Sequence, residues 1–181
     1  WSTLTPFRAA SSAPGFTETH EWVRHDGDCS YIGVSDHCQN MIGEVFWLEL
    51  PKPGTCFKRH DLLGTVEGMK HGEGEGVEAE GRSDDESEAV ANSGVYSQQG
   101  WLVQEVTVGR LGNMRTVSRE VYAPGDCEVL ETNPRLKSQR GLLNDAAEGD
   151  GWLVKVRFSG ELPELLDSAA YSERVAAETV E

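Results

Sequence analysis

The chain has 181 residues, 38% of them hydrophobic, which is enough for one modest core and so for one domain with an elaboration. Its formal net charge of −15, from 31 acidic and 16 basic residues, argues against a nucleic-acid or anionic-membrane partner and suits a protein that meets basic patches on other proteins. The longest apolar run is far too short to span a membrane, and the four cysteines show no C-x-x-C spacing and read as free thiols.

Residues 1–14 are rich in Ser, Thr and Ala, with Arg8 and no acid, the composition of an organellar transit segment. They open without Met, so a more basic upstream part is expected. Folded sequence is expected from Phe16. Residues 17–24 read as a strand, Asp26-Gly27 as a turn and 29–34 as a second strand, making a hairpin. Ser35 and Asp36 supply a hydroxyl cap and a first-turn acid for a short helix ending near Ile42-Gly43. Residues 44–50 read as a strand buried on both faces, stopped by Pro51-Lys52-Pro53-Gly54. Residues 61–66 form a strand that runs into a tight turn, with Lys70 at its tip. A lysine there offers a primary amine on a four-carbon stem, open to acylation by a modifying enzyme.

The texture then changes. Gly72-Glu73-Gly74-Glu75-Gly76 begins a Gly/Glu-rich tract, and 71–115 hold nine acids against three arginines. Such a composition buries too little surface to offset chain entropy, so 71–94 are expected to be disordered. Residues 101–108 have strand character but no obvious partner. Order is expected to resume at Val117, with a turn at 122–126, a strand at 127–131, a break at Asn133-Pro134 and a helical turn within 136–143. Trp152, Val154, Val156 and Phe158 alternate with Leu153, Lys155 and Arg157, a strand with one core face. A helical finish follows, with Tyr171 and Val175 on one face.

Little of this carries chemistry of its own. The five histidines have no metal-ligand spacing. The glycines from Gly72 do not make a phosphate cradle, because glutamates separate them and no G-K-S/T follows. No nucleophile signature is present, and Asp84-Asp85 lie in the low-complexity tract. A carrier fits these features better than a catalyst.

Six blocks, in order, resemble the H protein of the glycine cleavage system. Thr19-His20-Glu21-Trp22-Val23 resembles that family's S/T-H-E-W motif. Ile32-Gly33-Val34-Ser35-Asp36-His37-Cys38-Gln39, with Gly43-Glu44-Val45 and Leu48-Glu49-Leu50-Pro51, resembles its V-G-I-S/T-D-x-A-Q and G-D/E-V-V-F-V-E-L-P block. Gly64-Thr65-Val66-Glu67-Gly68-Met69-Lys70 resembles G-x-V-E-S-V-K, whose lysine carries lipoate. Tyr122-Ala123-Pro124 with Asn133, Gly151-Trp152-Leu153-Val154 with Leu142-Leu143-Asn144, and Leu165-Leu166-Asp167 with Tyr171 match the later blocks. The resemblance covers 16–70 and 117–175.

It implies a mainly β, lipoyl-type flattened barrel with short helices and a C-terminal helical segment. It implies a non-catalytic carrier with lipoate attached covalently to Lys70, and Glu21 lining the cleft where the loaded arm rests. The implied partners are the glycine decarboxylase (P protein), the aminomethyltransferase (T protein), dihydrolipoamide dehydrogenase (L protein) and a lipoylating enzyme, in the mitochondrial matrix. No nucleic acid or membrane is expected. Gly68 stands where the family usually has Ser, which loosens the expected turn, and Met41 stands where plant members carry a His. The domain is expected to span 16–175, interrupted by an insertion at 71–116 whose removal restores the family length, with 176–181 as a tail. A retained intron and a real insertion both account for it. Two other readings stand beside the carrier: a biotinyl domain, weakened by His71 where that class has Met, and an unmodified interaction protein or defective copy whose insertion blocks lipoylation.

Overall fold

The computed structural model describes residues 13–71, 95–96, 102–107, 113–161 and 163–178, and their side chains except at 71, 95–96, 102–107 and 113–115. Most of the transit-like stretch (1–12), the expected disorder at 72–94, and the end of the tail (179–181) lie outside the described residues.

In chain order the strands are β1 (Gly15–Phe16), β2 (Glu21–Asp26), β3 (Cys29–Val34), β4 (Glu44–Glu49), β5 (Cys56–Phe57), β6 (Leu62–His71), β7 (Val95–Tyr96), β8 (Leu102–Thr107), β9 (Asn113–Tyr122), β10 (Cys127–Thr132) and β11 (Val154–Phe158). The helices are α1 (Asp36–Ile42), a 3-10 turn (Pro134–Lys137), α2 (Leu142–Asp145) and α3 (Ser168–Glu178). Two antiparallel sheets result, one in the order β1-β2-β3-β11-β10-β5 and the other β4-β6-β9-β8-β7. Their inner faces share one core. Val23, Ile32, Val129 and Val156 come from the first sheet, and Val45, Val66, Val117 and Val121 from the second. No helix among the described residues is long and apolar enough to cross a membrane.

Local signals set the first third of the chain. Gly27, at φ +59°, begins the two-residue loop between paired Asp26 and Cys29, where a positive φ matches strand twist. The Ser35 hydroxyl accepts the Cys38 amide at 3.1 Å and opens α1, and Gly43 at φ +82° closes it. The four cysteines are free thiols; burial pushes Cys38 up to about 12 and Cys127 up to about 11. A second cluster fastens the chain ends. Phe16 stacks on Tyr171 of α3 at 4.2 Å, Trp22 packs beside them, and the Trp22 indole donates to the Ala147 carbonyl at 2.9 Å.

Several expectations are corrected. β4 is not buried on both faces: it is the edge of its sheet, a bulge falls between Val45 and Trp47, and Phe46 and Trp47 are exposed. β6 does not end in a turn at Lys70 but continues to His71, pairing Lys70 with Arg115 and His71 with Met114. β9 therefore starts at Asn113, and the expected boundary between 116 and 117 falls inside a strand. The 102–107 strand does have a partner, β9, with Leu102 opposite Ser118 and Thr107 opposite Asn113. α3 runs to Glu178, so a tail does not begin at 176.

Asn144 ties three elements together. Its amide oxygen accepts the Val45 N–H at 3.0 Å, and its nitrogen donates to the Gln39 side chain at 3.0 Å and the Gly43 carbonyl at 2.6 Å. Asn144→Ala leaves these partly buried groups without partners. It is expected to lower stability by about 2–4 kcal/mol, read as a lower urea midpoint; an unchanged midpoint would mean that water replaces the amide at no cost.

Candidate functional site

Two places in the fold bear on function. The first is the corner where α1, β4 and β6 meet around Lys70. β4 pairs with β6 so that Glu44 faces Met69 and Val45 faces Gly68, which sets Gly43 beside Lys70. A Cβ on Gly43 would lie 3.2 Å from the Lys70 Cβ and closer to the Met69 carbonyl oxygen. The missing side chain lets the end of α1 press against the strand while Lys70 stays exposed. Met41, in the last turn of α1, is 42% exposed. The amine is thus carried near the end of a pair of strands, with an apolar thioether in the neighbouring helical turn.

Gly68 has a different role from the one its place in a turn would give it. It lies in the ladder opposite Val117, and a Cβ there would stand 2.7 Å from the Ile42 carbonyl oxygen and nearer still to the Ile42 side chain. The glycine makes room for α1 rather than loosening a turn. Gly68→Ser is expected to cost about 1–3 kcal/mol through overpacking, measured by equilibrium unfolding. A midpoint equal to the parent's would show that α1 shifts freely.

The second place is a groove of about 670 Å³ lined by Phe16, Thr17, Thr19, Tyr122, Pro124 and Leu165, among others. Glu21 is 1% exposed and stands behind this wall. Its carboxylate accepts from the hydroxyls of Thr17 and Thr19, and from the Tyr122 amide at 3.2 Å. Burial pushes its pKa upward, against the pull of these donors and of nearby Arg119. Tyr122 pairs with Leu62, at the opposite end of β6 from Lys70. Eight residues of extended strand, roughly 26 Å, separate those two ends. Glu21 also lies near Arg119, which pairs with Val66, four residues before Lys70 on β6.

Arg119 is a buried residue that no motif pointed to. It is 3% exposed, sits opposite Val66 in β9, and its guanidinium donates to the Thr19 carbonyl. A signal was available, because an arginine flanked by Val117 and Val121 at strand spacing faces the core. Asn133 is equally buried. It donates to the Asp150 and Trp152 carbonyls, each at 2.8 Å, and so holds the loop leading into β11.

The model of the family described as "Glycine cleavage H-protein" matches residues 15–108 and 102–178. The match comes in two pieces, which overlap at 102–108. The "Glycine cleavage system H protein" of Parvibaculum lavamentivorans is 30% identical over 162 residues, covering 88% of this chain and 93% of the relative. The protein of the same name from Leptospira biflexa is 31% identical over 163 residues, covering 89% of each. The crystal structure of a glycine cleavage system H protein from Mycobacterium marinum superposes with a TM-score of 0.56, at 16% identity, over 92% of this chain and 96% of that one, and shares the fold. With six motif blocks in order, two antiparallel sheets around one core, and a family match from residue 15 to residue 178, the chain belongs to the glycine cleavage H-protein family.

Proposed function

We propose that this protein is the non-catalytic lipoyl carrier of a glycine cleavage system, with Lys70 as the attachment residue. The observation that carries the reading is Lys70 itself: an exposed amine in the G-T-V-E-G-M-K block, held beside Gly43 at the end of β6. The residues there fit an acyl-linked group, because the lysine is exposed and the glycine leaves its stem unobstructed. When attached, lipoate supplies a dithiolane at the end of a long arm. In this role the protein carries the aminomethyl group of glycine from the P protein to the T protein, and then meets the L protein.

The chain's own contribution is presentation. The β6–β9 ladder and the Asn144 bridge hold the lysine's base rigid, so that the flexible arm does the reaching. The acidic surface favours docking to basic faces on partner enzymes. Glu21 fixes Thr17, Thr19 and the start of the Tyr122-Ala123-Pro124 turn, and in this reading it also lines the cleft where the loaded arm rests. A matrix location rests on the composition of residues 1–14 alone, and the relatives named above are bacterial.

One observation favours the second reading, an unmodified interaction protein. The ladder continues past Lys70, whereas a modifying enzyme is best served by a lysine on a turn. Intact mass of the full chain after co-expression with a lipoylating enzyme separates the two. A lipoyl adduct supports the carrier, and unmodified mass alone supports the alternative.

A further inference from the structure

We propose that His20, His37 and Glu178 form a binding site for a divalent transition metal of the zinc class, which clamps the last turn of α3 to α1 and to the β1–β2 connection. His20 Nε2 stands 3.2 Å from a Glu178 carboxylate oxygen and His37 Nε2 stands 3.9 Å from the same oxygen. All three ligand atoms lie within 4.8 Å of one another. Ligands bonded tetrahedrally to zinc sit about 3.4 Å apart, so closing on an ion takes side-chain shifts of about an ångström. Two imidazoles and one carboxylate form a borderline N/O set suited to Zn²⁺ or Co²⁺. His37 and Glu178 are each about a fifth exposed, which leaves room for a water ligand.

The surroundings are those of a supported ligand set. His20 Nδ1 is 2.8 Å from the Tyr171 hydroxyl, which is 2.6 Å from the Ser35 hydroxyl. When Nδ1 carries the ring proton and donates it to Tyr171, the Nε2 lone pair points at Glu178. Two acceptors at 3.2 Å repel, and a cation between them removes the conflict. With the hydroxyl chain turned the other way, Nε2–H donates to Glu178, and the metal takes the place of that proton. Arg174 Nε forms an ion pair with the other Glu178 oxygen at 3.2 Å, without hydrogen-bond geometry. Burial, together with Arg119, His37 and Arg174 nearby, holds His20 at about 4, so the ring is neutral at physiological pH despite its acidic neighbour. The three residues come from the β1–β2 connection, α1 and α3, separated by 17 and 141 positions, which is why spacing reveals no metal motif.

The test is titration of the full, untagged chain with Zn²⁺ by calorimetry and with Co²⁺ by visible absorption. One equivalent is expected to bind, with a cobalt spectrum of nitrogen and oxygen ligands. His37→Ala and Glu178→Gln, both at partly exposed positions, are each expected to weaken binding by about 10-fold or more, and Tyr171→Phe, which keeps the stack on Phe16, by about 10-fold. Folding of each variant is checked by circular dichroism, and a variant that does not fold is replaced by His37→Gln or Glu178→Ala. No binding, binding unchanged in both ligand variants, or a thiolate-to-cobalt charge-transfer band placing the ion on Cys29 or Cys56 would overturn the proposal.

Discussion

Lys70→Arg is expected to remove the lipoyl adduct completely and, with it, all carrier activity in an assay reconstituted with the P, T and L proteins. Arginine keeps the charge and most of the stem but has no amine that forms a stable amide under a lipoylating enzyme. The chain holds four other lysines, and their settings differ from that of Lys70. The Lys58 ammonium is 2.7 Å from an Asp126 carboxylate oxygen, and the Lys155 ammonium lies over the Tyr31 ring at 5.2 Å. Lys52 and Lys137 line a separate groove beside the 3-10 turn. None of the four lies on β6 or β9. Fold is preserved in Lys70→Arg because the residue is exposed, so unchanged unfolding together with a lost adduct is the expected pair of results. An adduct that persists in the variant would place the modification elsewhere and remove the basis for the carrier assignment.

The second large effect concerns residues 71–116. Gly68 pairs with Val117 across the ladder. Deleting 71–116 joins Lys70 to Val117 and leaves Met69-Lys70 as a two-residue loop between paired strand residues. The full chain instead holds Lys70 inside the ladder, and a modifying enzyme must open the Lys70–Arg115 and His71–Met114 pairs to present it as a turn. Opening the end of such a ladder costs about 1–2 kcal/mol. The deletion variant is therefore expected to be lipoylated about 10-fold faster than the full chain, followed as the fraction of adduct against time by intact mass. The two-residue loop carries a cost of its own, because Met and Lys disfavour the positive φ that tight hairpin loops require. That cost falls on stability rather than on access. Equal rates for the two chains would show that a lysine within paired strands is modified as readily as one on a turn.

Much of the site was legible because its determinants are local. The Asp26-Gly27 loop, the Ser35 cap and the Gly43 stop act within a few residues of where they stand, and each is found where the residue types place it. Burial of β4 is not legible in residues 44–50, because apolar content cannot tell a central strand from an edge. Phe46 and Trp47 are on an edge, beside a bulge, and composition carries no trace of either. The role of Gly68 is hidden for a related reason: the atoms it makes room for belong to Ile42, 26 positions earlier in the chain.

By itself the sequence determined the family, the order of the early elements and the lysine to test, because motif blocks and turn chemistry are written in consecutive residues. Tertiary structure alone decided that the ladder runs past Lys70, that 102–107 pairs with β9, that Glu21 is buried behind a groove wall among Thr17, Thr19 and Tyr122, and that two histidines meet a glutamate from α3. Each of these depends on which strand or helix lies beside which. Long-range pairing follows from closing a shared core across two sheets, and no window of neighbouring residues contains it.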